Sequence, residues 1–251
     1  MNEAEFDLAR EAALQAGNYL RSLNCAIVDS QEGKDVKLEA DRKSEGILFD
    51  ILQTTDIPIL SEECGYVGGR KDGKRWIIDP LDGTANFWKG MRELSCVSVA
   101  LWEDDVPILG VINRFQRKEV YSGVVGEGAW LNNEPLSVSG VVHINEAVLA
   151  TGFPVWRNYE SESLSKFIKR VQGFKKIRML GSAAIMGALV AAGKIDTYIE
   201  EQIMLWDIAA SSAIVKAAGG VAEIQLLEND QCICKLFANE GLRRSYYADC
   251  V

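Results

Sequence analysis

Two acids three residues apart, Asp79 and Asp82, stand between the apolar run Trp76-Ile77-Ile78 and the pair Gly83-Thr84. Carboxylates hold hard divalent cations and backbone amides hold phosphate oxygens, so the segment WIIDPLDGTANF suits a metal-dependent phosphate site. Trp76-Ile77-Ile78 has the composition of a buried strand. Pro80 denies Asp79 helical geometry and removes a backbone donor, which predicts a turn there, with both acids projecting from one bend. Gly83 lets the backbone approach a ligand closely, and a helix opening around residues 84–86 would aim its first amides at an anion.

Further acids fall where such a site would recruit them. Glu62 and Glu63 follow the strand-like run 57–60, as Asp79 and Asp82 follow 75–79, and ligands of α/β sheets bind at the carboxyl ends of strands. Asp41 lies near the start of a predicted helix, Asp207 follows Trp206 at the head of an apolar, Ala-rich helix, and Glu200-Glu201 closes another strand-like run. Each also has an ordinary reading, because acid pairs are common on solvated surface and Asp is favoured where helices begin. Sharing a chain with DPLDGT turns Glu62 into a candidate ligand, with Glu63 behind it.

The 251 residues, 48% apolar and 25% charged, can bury a large core as one α/β unit or two closely packed halves. A net charge near −9, without clusters of Lys and Arg, argues against a nucleic-acid or anionic-membrane surface. Such a protein binds an anionic ester if cations first reverse the local field. The six cysteines are scattered and mostly in apolar stretches, as reduced thiols are, and alternation along a strand accounts for Cys232 and Cys234. The acidic opening, with Glu3, Glu5 and Asp7, and the lack of any run near membrane-spanning length predict a cytoplasmic protein.

Phe6, Ala9, Ala13, Ala16, Leu20 and Leu23 recur in steps of three and four, one face of an opening helix. A polar loop is expected over residues 29–37, then a second helix from about Asp41. Runs 94–102, 106–113 and 118–124 read as an antiparallel meander, which makes the first part α+β. From Ala147 the pattern alternates: strands at 147–151, 177–180 and 195–200, helices at 160–172 and 182–192, a helix over 206–218, and strands near 221–225 and 232–238. The chain after Asn239 looks short, and a soft boundary near Val142 separates residues 1–142, with the metal and phosphate site, from residues 143–251, which complete it.

WIIDPLDGTANF at 76–87, SEE at 61–63, EADRKSE at 39–45, GEGAWLNN at 126–133, GSAA at 181–184 and WDIAA at 206–210 together resemble the inositol monophosphatase family in order and spacing over nearly the whole chain. The resemblance implies an αβαβα layered sandwich and a lithium-sensitive, Mg²⁺-dependent hydrolase of phosphate monoesters that uses two or three ions and is a homodimer. By position, Glu62, Asp79 and the Leu81 carbonyl resemble ligands of a first metal, and Asp79, Asp82 and Asp207 those of a second. Thr84 resembles the family threonine that works with Asp41 on the attacking water, and Gly83 and Thr84 supply phosphate-binding amides. Asp82, Gly181, Ser182, Ala183, Glu200 and Asp207 resemble the alcohol subsite, which points to a polyol such as inositol-1-phosphate. Family members often carry a lysine before the segment matched by EADRKSE, and Lys34 stands near that place.

Other readings compete. The family also contains enzymes for fructose-1,6-bisphosphate, for 3′-phosphoadenosine 5′-phosphate and for NADP, and a non-catalytic metal or phosphate-binding module could use the same fold. Cys64 and Arg70 have the spacing of a cysteine-dependent phosphatase loop, but Glu63 before the thiol raises its pKa instead of lowering it. No GxxxxGK[ST] loop is present, so nucleoside triphosphates lack a cradle.

Overall fold

α1 (Glu3–Ser22) buries Ala9, Ala13, Ala16 and Leu20, the stripe that its periodicity marks. The computed structural model describes residues 3–32, 35–69, 73–153 and 160–250. Where a loop was expected at 29–37, β1 (Val28–Glu32) and β2 (Asp35–Leu38) pair antiparallel, with Val28 opposite Leu38. VDSQE and DVKL show no run of alternating apolar residues, so the ladder rests on backbone hydrogen bonds that periodicity does not reveal. Lys34 lies outside the described residues. α2 (Glu39–Leu52) follows at once and packs Leu48 and Leu52 beside α1.

The large sheet begins with β3 (Ile59–Ser61), β4 (Gly65–Val67) and β5 (Lys74–Asp82), passes through the single turn of α3 (Thr84–Trp88), and continues with β6 (Cys96–Glu103), β7 (Val106–Arg114), β8 (Glu119–Val124), β9 (Gly128–Leu131) and β10 (Glu134–Pro135). Its order is β10-β9-β8-β7-β6-β5-β3-β4, antiparallel except that β3 runs parallel to β5. The meander expected from the sequence is β6 to β8, although Leu94 belongs to a 3₁₀ turn ahead of it.

β5 does not end at Asp79 as expected. Asp79 pairs with Ser98 and Asp82 with Cys96, so Pro80 and Leu81 oppose the single residue Val97 in a β-bulge. Pro80 has no N–H to give the ladder, and Ser44 Oγ donates to its carbonyl at 2.7 Å. Residues three apart on a regular strand point to opposite faces, and the extra residue cancels that alternation, so both acids reach the same side.

The chain then builds β11 (Val148–Ala150), α4 (Ser161–Val171), β12 (Lys176–Arg178), α5 (Ala183–Ala191), β13 (Thr197–Met204), α6 (Leu205–Ala217), β14 (Val221–Leu226), β15 (Gln231–Phe237) and α7 (Glu240–Cys250). The small sheet has the order β12-β11-β13-β15-β14. The strand expected at 177–180 stops at Arg178, which leaves Leu180 and Gly181 in the connection to α5, and the residues after Asn239 form α7.

The layers follow from which residues share a core. Trp76, Ile78, Val99 and Val111 pack on α1 and α2, while Ile77, Ala100 and Ile112 on the opposite face meet α5 and α6. Cys232, Cys234 and Leu236 of β15 close the far side of α5 and α6. Phe167 of α4 and Leu242 and Tyr246 of α7 cover the outer face of the small sheet with Leu149 and Ile199. The result is the αβαβα sandwich. No helix among the described residues is long and apolar enough to cross a membrane.

α6 crosses the large sheet so closely that a Cβ on Gly110 would stand 2.3 Å from the Ala210 carbonyl oxygen. Gly110→Ala is therefore expected to cost about 1–3 kcal/mol of unfolding free energy, as overpacking does. Denaturant unfolding checks this, and an unchanged midpoint would mean that the helix does not seat there.

Candidate active site

The two halves of the site are brought together by helix starts. Asp41 is the third residue of α2 and its Oδ2 accepts the Leu38 N–H at 2.6 Å; Asp207 is the third residue of α6 and its Oδ2 accepts the Met204 N–H at 3.1 Å. Each therefore stabilises a helix start with one oxygen and keeps the other for the site. Ser182 precedes α5, accepts the Ile185 N–H at 3.2 Å and donates its hydroxyl to Asp82 Oδ2 at 2.6 Å. The Ala184 N–H donates to the same Oδ2 at 2.8 Å. These bonds fix the rotamer of Asp82 through one of its two oxygens.

Carboxylate oxygens of Asp79, Asp82 and Asp207 all lie within 4.8 Å of one another. Glu62, just past β3, joins through a side-chain hydrogen bond to Asp79, whose Oδ1 also accepts the Leu81 N–H at 2.9 Å. Glu63 points elsewhere and pairs with Lys37 at 2.8 Å. Thr84 Oγ1 has one hydrogen and two acceptors in reach, Asp41 Oδ1 at 3.2 Å and the Leu81 carbonyl at 3.0 Å. Gly83 adopts φ +85°, and a Cβ there would collide with the Leu94 carbonyl oxygen at 2.6 Å, so this turn demands glycine. α3 has only five residues, so it offers the site a few individual amides and not the dipole of a long helix.

Crowding of acids moves their titrations together. Burial pushes Glu62 up to about 8, with the charge of Glu63 adding to it. Burial raises Asp41 to about 7 despite the Leu38 amide, and Asp82 to about 6 despite Ser182 and Ala184. Asp79 and Asp207 are driven well above the ordinary carboxylate range by burial and by the acids around them. A set of buried oxygen donors whose protonation is forced by lack of positive charge fits a hard divalent cation, and three of its members already stand close enough to share one.

Beside the acids opens a cavity of about 530 Å³ whose wall includes Asp82, Asp207, Glu200 and the Gly181-Ser182-Ala183 turn. Glu200 is buried on β13, accepts the Tyr198 hydroxyl at 2.9 Å, and presses on Gly152, where a Cβ would meet Oε2 at 2.6 Å. The rim is different, with Met91, Phe153 and Met179 each about half exposed. Burial and Glu45 push the Cys64 thiol up to about 11, the wrong direction for a nucleophile, and Arg70 lies outside the described residues.

The structure thus gathers Asp41, Glu62, Asp79, Leu81, Asp82, Gly83, Thr84 and Asp207 at one end of β5, with Gly181, Ser182, Ala183 and Glu200 on the adjoining wall. Sequence reasoning missed the Ser182 hydroxyl as the partner of Asp82, and it missed Asn86, whose side-chain N–H groups reach the Leu94 and Leu180 carbonyls at 2.9 Å. Ser44 was legible in principle, since it lies three residues after Asp41 on the same helix face. Tyr198 likewise lies two residues before Glu200 on one strand face.

Fold and site together define a phosphoric monoester hydrolase. Residues 1–224 match the profile of the inositol monophosphatase family, and the chain belongs to that family. An inositol-1-monophosphatase of Synechocystis is 37% identical over 221 residues, 86% of this chain and 77% of that protein. A Nus factor SuhB of Haemophilus influenzae is 34% identical over 222 residues, 86% of this chain and 83% of its own length. The solved structure of inositol monophosphatase from Anabaena superposes with a TM-score of 0.85 at 30% identity, covering 98% of this chain and 95% of that one.

The raised carboxyls carry a consequence for stability. Asp41, Glu62 and Asp82 hold protons in the fold that they release when unfolded near pH ~4, so their contribution is full below that value and is lost as pH rises through about 6 to 8. Without divalent cation, Tm is expected to fall from about pH 5 to about pH 8, and added Mg²⁺ is expected to raise Tm more at the higher pH, where the acids are ionised. Thermal scans measure both; an equal gain at the two pH values would contradict the assignment.

Proposed function

We propose that this phosphatase hydrolyses the monoester of a small polyol with Mg²⁺ as its cation, and that inositol-1-phosphate is the first substrate to assay. The observation that carries this reading is the buried Glu200 carboxylate on the same cavity wall as Asp82 and Asp207. An anionic carboxylate accepts two hydroxyl hydrogen bonds, which a polyol supplies from adjacent carbons.

In this reading Glu62, Asp79, the Leu81 carbonyl, Asp82 and Asp207 hold two or three Mg²⁺ ions, which when bound neutralise the ester and make water acidic. The rest is done by the chain. The Gly83 and Thr84 amides hold the phosphoryl oxygens, and Ser182 keeps Asp82 turned towards them. Thr84 accepts a hydrogen bond from the attacking water and hands its own hydroxyl proton to Asp41, whose Oδ1 lies 3.2 Å away to receive it. Once protonated, Asp41 donates back to Thr84 while Thr84 donates to the Leu81 carbonyl, so the proton is held without an unpaired donor. No covalent intermediate is needed, because phosphoryl transfer rests on positioning and charge stabilisation.

A second reading has its own observation. Met91, Phe153 and Met179 give the cavity mouth an apolar rim that a polyol does not use, whereas the base of a nucleoside phosphate would pack on it.

Asp82→Asn keeps shape and removes a charge, so phosphate release is expected to drop about 100-fold or more with the fold intact by circular dichroism. Unchanged release would remove Asp82 from the metal site. Across a panel of esters with and without Li⁺, Glu200→Gln is expected to lower kcat/KM for inositol-1-phosphate about tenfold more than for an aryl phosphate. Equal losses would dissociate Glu200 from the alcohol, and a stronger wild-type rate on a nucleoside 2′-phosphate than on the polyol ester would favour the second reading.

A further inference from the structure

On the face of the large sheet that α1 covers, far from the acid cluster in sequence, a cleft of about 270 Å³ lies between α1 and two turns, the β7–β8 turn and the β9–β10 turn. One stripe of α1 forms a side of it, with Arg10, Leu14, Asn18 and Arg21 following each other at helical spacing. Lys118 and Asn132 contribute from the turns, and the floor is Phe115 and Val120, both buried. In a chain of net charge −9, the residues lining this cleft include three cations and no carboxylate.

The hydrogen bonding of the lining is one-sided. Arg21 can only donate, and it donates to Asn18 Oδ1 at 3.0 Å; the Val120 backbone N–H can only donate, and it donates to Asn132 Oδ1 at 3.0 Å. Both amides therefore have their oxygens engaged, and their NH₂ groups have no acceptor among the described residues. Arg10 Nε is buried and has no hydrogen-bond partner, while its guanidinium is steadied 5.8 Å above the Phe6 ring. The nearest carboxylate in sequence to Lys118 is Glu119, which is already bonded to Arg114 and Arg117. Of these donors only Arg10 Nε is buried without a partner, while Asn18, Arg21, Lys118 and Asn132 stand exposed; one orphaned donor, three cations with no carboxylate among the lining residues, and an apolar floor make a lining matched to an anion with a carbon body.

We propose that this cleft binds a small organic phosphate, its oxyanion held by Arg10, Lys118 and the two amides and its carbon body resting on Phe115 and Val120. The site is separate from the hydrolytic centre and goes beyond the function proposed above. Arginine suits the role through its fixed fork of donors, and the amides select an acceptor-rich group without adding charge.

Binding of two probes, inorganic phosphate and the non-hydrolysable phenylphosphonate, is to be measured by calorimetry in EDTA, where the acid cluster repels anions. Wild-type protein is expected to bind both, phenylphosphonate more tightly, and Arg10→Gln and Lys118→Gln are each expected to weaken binding about tenfold. Arg10→Lys, which keeps the charge, should lose less, and Asp82→Asn should leave binding as it is. Hydrolysis by Arg10→Gln in Mg²⁺ at the wild-type rate confirms that the variant folds. No binding by the wild type, or binding indifferent to Arg10 and Lys118, overturns the site. Equal affinity for the two probes overturns the organic part of the ligand and leaves a bare anion site.

Discussion

Repulsion between acids that the fold forces together is the constraint on which the rest of the molecule turns. Asp79, Asp82 and Asp207 arrive within 4.8 Å of one another from β5 and α6, and Glu62 bonds to Asp79 from the end of β3. In water such a group would separate; here a bulge, two helix starts and the Ser182 bond hold it in place. The cost is visible as protons retained well above the usual carboxylate range. A divalent cation removes that cost, so the arrangement stores affinity for cations and, through them, for phosphate.

The architecture is organised around that point. α5 and α6 form the middle layer, share one core with both sheets, and present their first turns to the end of β5. Gly110 allows α6 to sit close enough to β7 for this, since any larger residue meets the helix backbone. The positive ends of helix dipoles and the orphan amides of first turns face the acids, which accounts for Ala184 donating to Asp82 and Met204 to Asp207.

Much of this was legible in the sequence because the features are local or periodic. The α1 stripe, the three-strand meander, and the acids after two apolar runs follow from spacing, and the family resemblance rests on motifs that keep their order. What was not legible depends on long-range pairing. Pro80 suggested a turn, whereas the ladder resumes at Asp82, because a proline is tolerated where a bulge needs no donor. The β1–β2 hairpin has no apolar alternation to announce it. The link between Ser182 and Asp82 spans 100 residues, and nothing local to either residue signals it.

The central claim is that a cation belongs among Asp79, Asp82 and Asp207. A crystal soaked with Mn²⁺, whose anomalous scattering marks its position, tests it most directly. The account predicts a strong peak between these three carboxylates, with Glu62 turned to the same group. Carboxylates left apart, with no peak among them under conditions that support hydrolysis, would contradict it.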